Sequence, residues 1–253
     1  MINSKNNNLD DIKQHWEKED TVSLKDKNLQ ILEREQILNY LRRVEPSIIA
    51  DIGCGPGEDT LYFSEYCEQI FAYDYSSSML KKAKKNLEGI KNVTLNELNI
   101  IQNNIESKFD AVITKRMLIN LGSFENQIKA IKKIHNSLNE NGYFIMLETS
   151  KDGLNNLNIL RQKVGLEDIP EPFHNTLFDL DILKKELSEF FIIEDVSNFS
   201  TYFFLTRVYN QLLIDNDNDF IKFDSFAKKT ANSIDLFKSE IVGAQFCLLL
   251  RKK

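Results

Sequence analysis

The stretch Asp51-Ile52-Gly53-Cys54-Gly55-Pro56-Gly57-Glu58 is where the chain first offers chemistry. Glycines at positions 53, 55 and 57 let the backbone turn sharply, and without Cβ atoms a ligand can lie against bare main chain. The apolar run Ile48 to Ile52 before them reads as a short buried strand, and a helix is expected from about Glu58 to Cys67. A second strand, Ile70 to Tyr73, leads into an acid, Asp74. A carboxylate at that strand end can accept hydrogen bonds from both hydroxyls of a ribose. Turn and acid together point to a nucleoside-bearing ligand; the plain alternative is a tight structural turn beside a surface aspartate.

A nicotinamide dehydrogenase competes for such a strand-turn-helix, but its fingerprint is Gly-x-Gly-x-x-Gly, and here the third glycine comes one position early. Asp51, an acid just before the first glycine, suits a cationic amino group better than a pyrophosphate. A separate catalytic domain would also have to fit into the little chain that remains.

Apolar runs alternate with helical periodicity along the chain, which implies a parallel sheet flanked by helices. Asp26 is placed to cap a helix carrying Leu29, Leu32, Ile37, Leu38 and Leu41 on one face, ending before Pro46. Ser76 or Ser77 caps the next, with Met79, Leu80, Ala83 and Leu87 inward and Lys81, Lys82, Lys84 and Lys85 on a solvated face. Strands are expected at 93–98, 109–114 and 143–147, with a helix carrying Phe124, Ile128, Ile131, Ile134 and Leu138 that ends near Gly142. Lys151 to Phe178 lacks long periodicity and reads as an irregular binding segment or lid. A helix at 180–187, a strand at 190–196, a helical 202–213, a loop at 215–219 and a final strand at 244–250 complete the pattern.

Asp51-Ile52-Gly53-Cys54-Gly55-Pro56-Gly57, Ala72-Tyr73-Asp74-Tyr75-Ser76 and Phe109-Asp110-Ala111-Val112 resemble the class I S-adenosylmethionine-dependent methyltransferases over roughly residues 46–150. The resemblance implies an α/β Rossmann-like fold, a mostly parallel seven-stranded sheet with its final strand antiparallel and helices on both faces. It implies residues 1–45 as an N-terminal tail and cofactor-covering helices, Trp16 and Arg34 among them. Residues 46–253 would form the methyltransferase domain, with lid insertions at about 151–180 and 200–242. Asp51, Gly53, Gly55 and Gly57 would hold the methionine end of S-adenosylmethionine, Asp74 the ribose, and Tyr75 and Met79 the adenine. Asn99, followed by Ile100, stands where most members have an acid that accepts from the adenine amino group; an amide oxygen accepts that bond too. The product would be S-adenosylhomocysteine.

Methyl transfer from a sulfonium is an in-line displacement that needs alignment, and proton removal if the acceptor is a hydroxyl. No metal is called for and no metal-ligand cluster is evident. After the fourth strand the chain reads Thr114-Lys115-Arg116-Met117-Leu118-Ile119-Asn120, without the Asn-Pro-Pro-Tyr type of motif found in many enzymes that methylate nucleobase amines. Arg116 is expected near the acceptor, or paired with a surface carboxylate. Glu148, Asn158, Arg161, His174 and Asn175 follow the fifth strand. Arg116 and Arg161 are candidates to clamp an anionic group, and His174 is the candidate general base, against the plainer reading of a polar surface loop. Leu157 to Arg161 and Pro172 to Asn175 are similar to methyltransferases encoded near bacterial surface-polysaccharide genes. That likeness implies O-methylation of a sugar or of a phosphorylated capsule precursor such as a phosphoramidate. The alternatives are an N-methyltransferase of a small amine or a non-catalytic methyltransferase-like binding protein.

The bulk numbers fit. In 253 residues 42% are hydrophobic and 28% charged, ordinary for a globular domain, and abundant Lys, Asn and Ile suggest an AT-rich bacterial genome. A net charge of −6 disfavours a nucleic acid partner. No apolar run is long enough to span a membrane, and Met1 to Asp11 reads as a frayed tail rather than a signal peptide. Cys54, Cys67 and Cys247, an odd number without ligand spacing, fit reduced thiols in a cytoplasm. Oligomeric state is not legible.

Overall fold

The computed structural model describes residues 9–18, 21, 24–213, 217–238 and 240–253. Seven strands form one sheet in the order β3-β2-β1-β4-β5-β7-β6: β1 (Ile48–Ile52), β2 (Gln69–Asp74), β3 (Val93–Glu97), β4 (Phe109–Lys115), β5 (Leu138–Thr149), β6 (Phe191–Asn198) and β7 (Gln245–Lys252). The first five pair in parallel, while β7 runs antiparallel to both β5 and β6. This is the Rossmann-like arrangement that the resemblance implies. Chain order reverses where β1 lies between β2 and β4, and in open α/β sheets a crevice forms outside the strand ends at such a point.

Successive strand residues feed opposite faces of the sheet, as a period of two requires. Ile49, Ala111, Ile113, Ile145 and Leu249 belong to one core, beneath α2 (Lys27–Val44). Ala50, Val112, Phe144, Met146 and Leu248 belong to the other, beneath α5 (Phe124–Ser137) and α7 (Leu180–Leu187). The expected caps form: Asp26 accepts from Leu29 N, and Ser76 accepts from Met79 N at the start of α4 (Ser77–Asn86).

Several boundaries differ from expectation. The helix expected from Glu58 to Cys67 divides into α3 (Glu58–Phe63) and a 3-10 turn, Ser64–Tyr66. Helix α5 stops at Ser137, and β5 starts at Leu138 rather than near Tyr143, because Leu138 pairs with Phe109 ahead of a register shift. The segment expected to be irregular opens with α6 (Lys151–Lys163), capped by Ser150 and burying only Gly153, Leu154 and Leu157. So sparse an apolar face leaves almost no periodicity in the sequence. Leu9 to Asp11, read as tail, lie in α1 (Leu9–Glu17); Met1 to Asn8 fall outside the described residues. Of the expected loop at 215–219, residues 217–219 open α10 (Asp217–Ala231), while 215 and 216 lie outside the described residues. The 202–213 stretch is helical, as expected, and includes a π-helical turn at Leu205–Tyr209.

Helix α6 docks through an approach of two glycines. Gly243 N donates to Gly153 O at 2.9 Å, and a Cβ on Gly153 would stand 2.1 Å from Gly243 O. Gly153→Ala should therefore cost about 1–3 kcal/mol, the usual penalty for overpacking. Urea denaturation measures it, and a loss below about 0.5 kcal/mol would show that α6 shifts aside without cost.

Candidate active site

The turn after β1 is stitched to the end of β2. Gly53 N and Cys54 N both donate to Tyr73 O, at 2.7 and 2.9 Å, and Gly55 N donates to Asp74 Oδ2 at 2.9 Å. Gly53 at φ +82° and Gly55 at φ +54° hold left-handed conformations that make this possible. At Gly53 a side chain would collide with Met117 Cγ, 2.3 Å from the Cβ position, whereas Gly55 faces open space. Gly57 serves packing instead: a Cβ there would meet Leu87 Cδ1 at 2.8 Å, and it is not part of the cleft wall.

Over this turn lies a cleft of about 760 Å³. Asp51, Gly53, Gly55, Asp74, Tyr75, Met79, Asn99, Ile100 and Arg116 all line it. Asp74, nearly buried, also accepts from Ser76 N at 2.9 Å; burial raises its pKa against the pull of its amide donors. Asp51 is fully buried and accepts from Thr60 Oγ1 at 2.6 Å. Loss of solvent pushes its pKa up to about 7, with Asp59 and Asp74 adding repulsion against the Thr60 bond and the charge of Lys115. The Tyr75 hydroxyl is buried in the cleft wall without a hydrogen-bond partner. Asn99 Oδ1 accepts from Ile101 N at 3.1 Å, so the amide oxygen expected to face an adenine also caps its own turn.

His174 and Arg161 do not line the cleft. His174 stacks on His15, ring centroids 4.5 Å apart, with Trp16 and Phe173 edge-on. Burial, then the charge of His15, lowers its pKa to about 4, and its Nδ1 is buried without a partner. So weakly basic an imidazole, outside the cleft wall, is ill placed to take a proton. The expectation of a base at His174 is corrected accordingly. Arg161 donates to the carbonyls of Glu167 (2.7 Å) and Arg207, fastening α6 to neighbouring loops. The expected Arg116–Arg161 clamp is therefore corrected too: its second member is committed to main chain elsewhere.

Two residues that sequence reasoning missed, Glu33 and Asp59, stand beside the cations of the β4 tip. Lys115 Nζ lies 3.2 Å from Glu33 Oε2 and 2.6 Å from Asp59 Oδ2, and Arg116 Nε lies 3.4 Å from the same Glu33 oxygen. Arg34 closes the group on Asp59 at 2.6 Å and lies over the Tyr62 ring. Burial raises the Asp59 pKa, but Lys115 and Arg34 outweigh it, for a net lowering. Glu33 has no exposed surface. Its sequence context, Leu-Glu-Arg-Glu, reads as a solvated helix face and gives no sign of this role. Glu148, at the end of β5, is buried and accepts from the backbone amides of Met117, Leu118 and Ile119, fixing the turn that follows Arg116. Desolvation raises its pKa to about 7 against those donors. From α1, Trp16 reaches across to donate to Asn120 Oδ1 at 3.3 Å.

The cleft thus joins an acid-and-glycine end suited to a zwitterionic nucleoside and a cationic end at the tip of β4. A family model described as a methyltransferase domain matches residues 47–193. A protein provisionally named methyltransferase 235L, from Invertebrate iridescent virus 6, is 33% identical over 92 residues, 36% of this chain. The match spans 34% of that relative's length, about a third. Among solved structures, the N-methyltransferase NodS from Bradyrhizobium japonicum WM9, in complex with S-adenosylhomocysteine, superposes with a TM-score of 0.59 at 12% identity, over 96% of this chain and 97% of its own. The YcgJ protein from Bacillus subtilis does so with a TM-score of 0.52 at 16% identity, over 87% and 95%. At such identities the likeness is one of fold.

Glu33 precedes the matched stretch, yet it balances two cations inside it. Removing one member of a buried ionic group leaves uncompensated charge and costs about 3–5 kcal/mol. Glu33→Ala should lose stability on that scale in chemical denaturation. A change under about 1 kcal/mol would mean that Lys115 and Arg116 find water instead.

Proposed function

This chain belongs to the methyltransferase-domain family, the class I S-adenosylmethionine-dependent group that its sequence resembles, and from that premise we propose that it methylates an anionic oxygen on a small acceptor. The single observation that carries the acceptor half is the pair of cations, Lys115 and Arg116, held in the cleft wall by the buried Glu33. The reading extends to a sugar or a phosphorylated precursor, phosphoramidates included, of a capsule or surface polysaccharide, handled in the cytoplasm. The likeness of Leu157 to Arg161 and Pro172 to Asn175 to enzymes of that kind supports it.

S-adenosylmethionine, when bound, supplies a methyl carbon already activated by the adjacent sulfonium. The residues of the cleft fit it. Asp51 is a buried carboxyl poised near neutrality, which an ammonium would ionise; Asp74 retains acceptor capacity for ribose hydroxyls; Met79 and Ile100 give apolar walls. Open space beside Gly55 leaves room for close approach to main chain. What remains for the protein is alignment. No histidine lines the cleft among the described residues, and an acceptor oxygen that is already anionic needs none. Arg116 would hold such a group through charge-assisted bonds. An amine that arrives unprotonated meets the same condition, so N-methylation of a small amine is the second reading.

The two halves have separate tests. The ammonium of S-adenosylhomocysteine favours ionised Asp51, so its pKa falls on binding. Below about pH 7 binding should release up to one proton and weaken by as much as tenfold per pH unit; above pH 7 it should be flat. Calorimetry in two buffers of different ionisation enthalpy counts the proton. Asp51→Asn should remove the pH dependence, and Asp74→Ala should abolish binding. Affinity and pH dependence unchanged from the wild type in both variants would sink the cofactor half.

For the acceptor, Arg116→Met should raise KM by about 10-fold or more, as loss of a charged hydrogen bond implies. The wild-type rate should be level with pH once the acceptor is ionised. A rate that climbs with the pKa of an amine substrate would replace the first reading with the second.

A further inference from the structure

Helix α1 closes over the cleft, and one residue of it touches both ends. The carbonyl of Trp16 accepts from Ser76 Oγ at 3.2 Å, and Ser76 N donates in turn to Asp74, the proposed ribose acid. The indole of Trp16 donates to Asn120 Oδ1 at 3.3 Å, at the other end. The Glu17 carboxylate anchors the helix further by accepting from Ser77 N and Ser78 N at the start of α4.

Asn120 is oriented by what lies on its far side. Its Nδ2 donates to the carbonyl of Arg116 at 2.7 Å. Arg116 is a non-glycine residue at φ +53°, a backbone conformation that costs roughly 1–2 kcal/mol and persists only where its surroundings enforce it. Arg116 N is held by Leu147 O at 2.8 Å, and the next three amides by Glu148. The Asn120 amide holds the one remaining backbone group, the carbonyl. An amide has distinct donor and acceptor ends, so the indole contact and the carbonyl contact are both satisfied in one orientation only.

We propose that Asn120 is a positioning residue that ties closure of α1 over the nucleoside end of the cleft to the placement of Arg116 at the acceptor end. With α1 down, the Trp16 N–H fixes the Asn120 amide, and the amide fixes the left-handed Arg116 from which the guanidinium projects. With α1 lifted, the amide is free to rotate and the carbonyl loses its donor. Binding at one end then raises affinity at the other, a coupling that runs through two hydrogen bonds. The inference rests on the reading that Arg116 receives an anionic acceptor.

The test uses S-adenosylhomocysteine and inorganic phosphate as probes on the full chain. Trp16 is the sole tryptophan, so its emission reports the α1 contact directly. In the wild type, S-adenosylhomocysteine should alter Trp16 emission and tighten phosphate binding, followed by calorimetry, about threefold to tenfold, the worth of one part-buried hydrogen bond. Asn120→Asp keeps an acceptor for the indole but has no donor for the Arg116 carbonyl. It should retain the emission change and lose the tightening. Trp16→Phe keeps the ring, lacks the N–H, and should lose the tightening as well, which a purely packing role of Trp16 would not produce. An Asn120→Asp protein in which S-adenosylhomocysteine still tightens phosphate as in the wild type overturns the link while leaving the acceptor reading intact. Phosphate binding that is missing from the wild type, or unchanged by Arg116→Met, overturns the acceptor reading and the link with it.

Discussion

Where β1 ends, Gly53, Cys54 and Gly55 turn their amides sideways onto the end of β2, two of them onto the Tyr73 carbonyl and the third onto the Asp74 carboxylate. Left-handed backbone at Gly53 and Gly55 is the condition for that stitch. Its effect is to fix the distance between bare main chain and an acid on the neighbouring strand. The rest of the cleft is arranged around this pair. Met117 fills the space that a side chain at position 53 would take, so the turn also determines where the β4 tip can sit. The turn and the β4 tip are therefore in contact through packing as well as through α1.

Electrostatics divides the cleft into two regimes. At the turn, Asp51 is deprived of water and of a direct cation, and its proton is loosely held near neutrality. At the β4 tip, Lys115 and Arg116 are nearly as dry but both stand against Glu33, with Asp59 also on Lys115, which holds the two side chains in place. A buried acid waiting for a cation and a buried cation pair beside it form a complementary lining for a ligand carrying both signs, and they leave positive charge at the far end for a second, negative one. Glu148 sits behind the same tip and spends its carboxylate on three backbone amides, so it shapes the site without entering it.

Local signals made the glycine-and-acid end of the cleft readable. The glycine turn, Asp74 at a strand end, and the caps at Asp26 and Ser76 each declare themselves within a few residues. The cationic end depends on contacts far apart in sequence. Glu33 looks like surface until the cations of β4 fold against it, and Asn120 gains meaning only from Trp16, 104 positions earlier. Helix α6 was missed because two glycines and a serine cap, not an apolar stripe, fasten it. Arg161 and His174 drew attention by residue type. The first is engaged by main-chain carbonyls, and the second is packed ring to ring against His15.

Trp16 and Glu33 both precede residue 47, where the match to the family model begins. The cleft thus draws residues from both sides of that boundary. A foreign forepart grafted ahead of residue 47 would therefore have to bring its own counterion for Lys115 and Arg116, as Glu33 does here.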